Sequence, residues 1–157
     1  MKRVATIDGE LIVEHDDGTV TFRAKAAIDC DGSGGNPWND PYFQDDTSLH
    51  HDGKALNAET VPFIVLPPSV ILGVDPIVLG CKARVWNLMN GKKIEAVVGD
   101  VGPKTKIGEV SVECARRLGI PESPISGGVD DHIIFFRVWP GVPAKVDGVK
   151  YAMQPYG

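Results

Sequence analysis

Residues 97–111 read VVGDVGPKTKIGEVS and place two carboxylates, Asp100 and Glu109, at either end of a loop rich in glycine, proline and lysine. Two carboxylates in unlike surroundings can carry out acid–base hydrolysis, because one keeps a proton to give while the other takes one up. Gly99 and Gly102 would let backbone approach a ligand closely, and the end of a strand would fix Asp100. A helix starting near Glu109 would expose free N–H groups and a dipole that favour the charged carboxylate and lower its pKa. Carboxylates with separated pKa values are what cleavage of a glycosidic bond requires. A turn aspartate and a helix-start glutamate that serve stability alone fit the same spacing.

A second acidic stretch, IDCDGSGGNPWND at residues 28–40, puts Asp29, Asp31, Ser33, Gly34 and Asp40 at positions 1, 3, 5, 6 and 12 of a calcium-loop template. The template calls for Glu at its last position and helices on both flanks. Here Pro37 interrupts the loop and neither flank has helical periodicity, so no EF-hand is expected. A different kind of metal site stays open, although none is assigned and no cofactor is implied. His50 and His51 are neighbours and would point to opposite faces of a strand, which makes a surface loop the expectation. His132, just before an apolar run, reads as packed or surface. The chain has no G-x-S-x-G elbow, P-loop or dinucleotide fingerprint.

The elements that would position these residues are mostly strands. Eighteen glycines and twelve prolines divide the chain into short runs. The candidates are ATIDGELIVEH, TVTFRAKAAI, PFIVLPP, IVLGCKARVWNL, KKIEAVVGD, HIIFFRVWP and the shorter KYAMQ. Asn90-Gly91 predicts a hairpin with a tight primed turn. GEVSVECARRLGI alone looks helical: Val110, Cys114 and Leu118 recur every four residues, Glu113 and Arg117 form an i,i+4 pair, and Gly119 and Pro121 stop the run. Seven strands and one helix predict a closed or partly closed barrel, since closure removes exposed edges.

Length and composition fit one globular domain spanning residues 1–157, with 43% hydrophobic and 24% charged residues excluding a disordered chain. No run approaches the ~20 apolar residues that cross a bilayer, and the N-terminus meets Asp8 and Glu10 before any signal-like apolar stretch forms. A net charge of −5 disfavours nucleic acid and favours cationic partners, amino-sugar polymers among them. Cys30, Cys81 and Cys114 make neither a CxxC pair nor an even framework, so at most one disulfide can form within the chain.

The run VVGDVGPKTKIGEVS, with AAIDCDG, NDPYFQDDTSL, LNAETVPFIVLPP and HIIFFRVWPG, resembles the fungal-type chitosanases of glycoside hydrolase family 75 over roughly residues 26 to 140. Its most specific part is GDxGP…IGExS. The resemblance implies that Asp100 and Glu109 are the essential carboxylates of an inverting, metal-independent hydrolysis of β-1,4 links between glucosamine units of chitosan. The same segment is similar to the GP-rich strand and short helix of double-psi β-barrels such as expansins. The implied architecture is therefore mainly β, a six-stranded double-psi β-barrel-like core with one short α-helix and a cleft across one face. Asp29, Asp31 and Asp40 would face substrate ammonium groups, and Trp38 and Tyr42 would offer flat faces to sugar rings. Equally, Trp38 could fill the core while the aspartates cap turns. Thr47 and Ser48 match the family's TS pair and would orient a catalytic water or carboxylate. Asp100 is expected as acid and Glu109 as base.

The implied partner is a polysaccharide, with no nucleic acid or membrane and a monomeric chain. Family members are largely secreted, whereas this N-terminus carries no leader, so location stays open between secreted and cell-wall-directed. A peptidoglycan-directed cell-wall hydrolase of bacterial or phage origin is an alternative reading. Another is a non-catalytic carbohydrate-binding or virion barrel module.

Overall fold

The computed structural model describes residues 1–75 and 79–156. In chain order the elements are β1 (Lys2–Ile7), β2 (Glu10–Glu14), β3 (Val20–Asp29), β4 (His50–His51), β5 (Lys54–Ala55), β6 (Phe63–Leu66), α1 (Pro68–Gly73) and β7 (Cys81–Asn87). They continue with β8 (Lys93–Val101), β9 (Glu109–Ser111), α2 (Val112–Leu118), β10 (Val129–Pro143), β11 (Lys145–Val146) and β12 (Val149–Lys150). Strands β3, β10, β7, β8, β6 and β9 hydrogen-bond in that order, and β9 returns to β3, closing a six-stranded barrel. The β1–β2 hairpin extends β3 outside the ring.

Alternation explains closure. In β7, Cys81, Ala83, Val85 and Asn87 are buried while Lys82, Arg84 and Trp86 are half-buried on the outside. From β3 and β10, Phe22 and Phe136 stack inside with ring centroids 4.6 Å apart. Ala24, Ala26, Ala83 and Ala96 fill the narrow parts of the interior. Phe136 is 1% exposed, so Phe136→Ala would cost about 3–5 kcal/mol through lost burial and a cavity.

Several local expectations change. ATIDGELIVEH is a hairpin rather than one strand: Asp8 and Gly9 both take positive φ (53° and 74°), the primed-turn geometry. Asp52-Gly53 and Asp147-Gly148 turn the β4–β5 and β11–β12 hairpins in the same way. The Asn90-Gly91 hairpin forms between β7 and β8, but only Gly91 of that pair has positive φ. The connection is longer than two residues, closed by Asn87 N–H donating to Lys92 O. PFIVLPP stops as a strand at Leu66, and Pro68 opens a second helix, α1, where a missing N–H costs nothing. IVLGCKARVWNL begins at residues outside those described, and its strand starts at Cys81. His50 and His51 lie on a short strand rather than in a loop, and KYAMQ contributes only Lys150 to one.

Most consequential, the helix begins at Val112, not near Glu109. Residues 109–111 form β9, bonded to β3 on one side and β6 on the other, so ladder bonds claim the backbone that a helical turn would have used. Ser111 caps α2 by accepting from Cys114 N–H at 3.2 Å, and Gly119 ends it in the left-handed region. Gly108 makes the approach to β9 possible: at φ +90° a Cβ there would sit 2.2 Å from the Lys25 carbonyl oxygen. Cys30 and Cys114 are buried thiols, and most of the buried apolar side chains form one cluster.

Candidate functional site

Val65 on β6 is the ruler of the site. It pairs with Asp100 of β8 on one side and with Glu109 of β9 on the other, so the two carboxylates stand in one row, two strand spacings apart. At about 4.8 Å per spacing, their backbones are roughly 10 Å from each other. Paired residues project to the same face, and both acids and Val65 line one cleft of about 470 Å³. Gly102 keeps it open, since a Cβ there would come 2.9 Å from Val65 Cγ1 and 3.4 Å from Glu109 Oε1.

The β3–β9 register brings in a third strand. Ala27 pairs with Glu109 and Asp29 with Ser111, which places Asp29 at the same end of the barrel. Asp29 and Asp31 line the cleft, and Asp46 completes a set of five carboxylates around it with Asp100 and Glu109. An adjoining hollow of about 450 Å³ shares Asp29, Asp31, Tyr42 and Glu109 and adds Asp40, Lys25 and Lys106. Together they make a groove with a strongly anionic floor.

Electrostatics inside the groove depart from the expectation. Glu109 is not at a helix terminus, and its pKa is raised, chiefly by burial, with Lys106 and Lys25 partly opposing and Asp100 and Asp31 adding to the rise. Asp100, 8% exposed, is also raised by burial. Its Oδ1 nevertheless accepts three hydrogen bonds, from Ser48 N–H (3.0 Å), Ser48 O–H (2.9 Å) and Val101 N–H (2.9 Å), and these favour the anion. Among the described residues, no hydrogen-bond donor reaches the Glu109 carboxylate. Asp29 is pushed up to about 8, first by burial and then by Asp31. Asp31 is raised as well, chiefly by burial. Asp46, by contrast, is lowered, mainly by its 2.6 Å contact with His50 Nε2. Carboxyl oxygens of Asp29, Asp31 and Asp100 lie within 4.8 Å of one another, so this trio could share protons or hold a cation.

The other expected residues divide. Tyr42 is 86% exposed at the rim of both hollows. Asp40 faces only the second, where it receives Tyr42 N–H at 3.0 Å and the Cys30 thiol at 3.7 Å. Thr47 and Ser48 both line the cleft: Ser48 touches Asp100 directly, while the Thr47 hydroxyl donates to Leu49 O at 2.7 Å and accepts from Leu56 N–H at 2.9 Å. Of the two readings of Trp38, the sugar-stacking one is not met, since Trp38 is absent from the lining of both hollows. Asn36 and Asp40 bond to each other twice, folding residues 36–40 into a tight turn, and Trp38 within it is half-buried with its Nε1 enclosed. His132 lies against Asp8 and Glu10, away from the groove.

Sequence reasoning did not select Asp46, Gln44 or Lys106 as site residues. Asp46 adjoins the TS pair, and that adjacency was the available signal. Compared with known proteins, the chain matches no family model and no curated protein.

Proposed function

We propose that the chain is a glycoside hydrolase that cleaves β-1,4 links of an amino-sugar polymer, with chitosan as the leading substrate, by inverting acid–base catalysis. The observation that carries this reading is the single row Asp100, Val65, Glu109 facing a shared groove. Roughly 10 Å between backbones suits the carboxyl separation of about 6.5–9.5 Å that leaves room for a water on the far side of the sugar. Five carboxylates around the cleft suit a polymer that carries ammonium groups.

The roles follow from the surroundings and reverse those expected from a helix terminus. Glu109, half-buried without donors among the described residues, is the better proton holder and serves as acid, giving its proton to the glycosidic oxygen as the C1–O bond breaks. Asp100, with Oδ1 anchored by three donors, is the better anion. Its Oδ2 takes a proton from water as that oxygen bonds to C1 from the opposite face, inverting the configuration. Incubation with chitosan, and separately with peptidoglycan, followed by measurement of new reducing ends tests the reading. Ends should appear with chitosan and vanish in Asp100→Asn and Glu109→Gln. Polymer binding without new ends between about pH 4 and pH 8 would instead mark a non-catalytic module.

A further inference from the structure

The outer face of β10, β7 and β8 has the opposite character to the groove. Cross-strand rows there read Phe135, Trp86, Lys93 and then Arg137, Arg84, Glu95, with Trp139 beside Lys82 in the next. Arg23 of β3 lies beside Phe135. Five cations on these rows thus meet one carboxylate, Glu95, which accepts from Arg84 Nε at 2.6 Å. Beyond the rows, Asp17 is near enough to Arg137 for that charge to contribute to lowering its pKa. In a chain of net charge −5 this patch inverts the average.

The cations are held in place. Lys82, Arg84 and Arg137 lie 4.6, 5.0 and 6.0 Å from the centroid of Trp139, and Arg84 also lies 5.7 Å from Trp86. Trp86 in turn meets Phe135 edge-on at 5.4 Å. Each cation–aromatic contact reduces the rotamer freedom that an arriving anion would otherwise have to freeze. Covering the tryptophans does not require so many like charges. Arg84 and Arg137 are directly opposed across the strands, a like-charge pair that meets Glu95 at Arg84 and Asp17 near Arg137 and still leaves the face with a surplus of cations.

We infer that this face binds an acidic polysaccharide, a chain of pyranose rings bearing carboxylates. Guanidinium forks take carboxylates in pairs, and the Trp86–Phe135 pair beside them adds apolar surface for sugar rings. Lys82 and Arg84 are alternate residues of β7, so their charges recur about 6.6 Å along the strand and suit an extended polymer. A phosphate polymer would leave the aromatic surface unused, and an acidic peptide brings no repeating ring to lay on it. The inference is independent of catalysis in the groove.

Titrating the full chain with short polygalacturonate oligomers at low salt, followed by tryptophan fluorescence and calorimetry, tests it. Saturable binding that weakens steadily with added salt is expected. Affinity should fall roughly tenfold or more, about 1.4 kcal/mol, in Lys82→Gln/Arg137→Gln. It should also fall measurably in Arg23→Gln/Lys93→Gln, whose positions are exposed and leave the fold intact, and stay unchanged in Asp100→Asn. Absence of saturable binding, or wild-type affinity in both double variants, overturns the inference. Tighter binding of poly-L-glutamate or of linear polyphosphate overturns it as well, reassigning the face to an acidic polypeptide or a phosphate polymer.

Discussion

Two regions of this molecule are crowded with carboxylates and treat them in opposite ways. Around α2, Arg116 pairs with Glu59, Glu113 and Glu122, and Arg117 reaches Glu113 at 2.7 Å and grips Asp147 with both terminal nitrogens at 2.9 and 2.7 Å. In the groove, Asp29 and Asp100 are buried and Asp31 and Glu109 half-buried, yet among the described residues no lysine or arginine forms an ion pair with any of them. The first arrangement stabilises a helix and its surroundings. The second strains the fold, because burying like charges without counterions is unfavourable and is retained where chemistry needs it. A count of acidic residues therefore says little; whether each has a cation decides its meaning.

The largest effect that would sharpen this contrast is on turnover. Asp100→Asn and Glu109→Gln should each lower kcat on chitosan by about 10³-fold or more, while thermal melting stays level or rises because a repulsive charge is gone. A loss of activity accompanied by a large drop in melting temperature would mean that the groove carboxylates hold the fold together, as those around α2 do.

Stability against pH is the next test, and the two regions have opposite signs. Asp29, Asp31, Asp100 and Glu109 have raised folded-state pKa values, so the folded chain holds protons that the unfolded chain releases. Their contribution is best below the ordinary carboxylate range near ~4 and is lost as pH rises toward the Asp29 value of about 8. Asp147 is lowered by Arg117, so its contribution is present above that range and is lost as pH falls through its folded value. Urea midpoints measured from pH 4.5 to 8 should decline in the wild type, and Asp29→Asn should flatten the decline. An unchanged slope in that variant would contradict the assignment.

Smaller effects follow. Ser48→Ala removes one of the three donors to Asp100 Oδ1, so the carboxyl pKa should rise. The acidic limb of the pH–rate profile should then move upward, with activity down about tenfold, a fraction of the effect of removing the carboxylate itself. Arg117→Gln should cost about 1 kcal/mol in urea unfolding, reflecting a half-exposed network, with kcat unaffected.

Much of the architecture was legible. Short runs between glycines and prolines pointed to a barrel, because short strands with unprotected edges are stable when the sheet closes. The hidden parts were those in which tertiary contacts outrank local pattern. Val110, Cys114 and Leu118 keep helical spacing, but Val110 belongs to β9 because β3 and β6 both offer it ladder bonds. The Asp8-Gly9 turn was visible in principle, masked by apolar residues running on through both arms of the hairpin. Asp100 and Glu109 could be singled out from their loop. Their company with Asp29 and Asp31 came from the family resemblance alone, since those residues lie some seventy positions away and only the registers of β3 with β9 and of β6 with β8 and β9 bring them together. Trp38 could be read either way, because the Asn36–Asp40 turn around it has no apolar pattern to announce it.

The central claim is that Asp100 and Glu109, spaced across Val65, act on a water and a leaving oxygen from opposite faces of one sugar. Proton NMR of the first products from a chitosan oligosaccharide tests it most directly. The account predicts that the new reducing end appears first as the α anomer and then equilibrates. A β anomer formed first would contradict it.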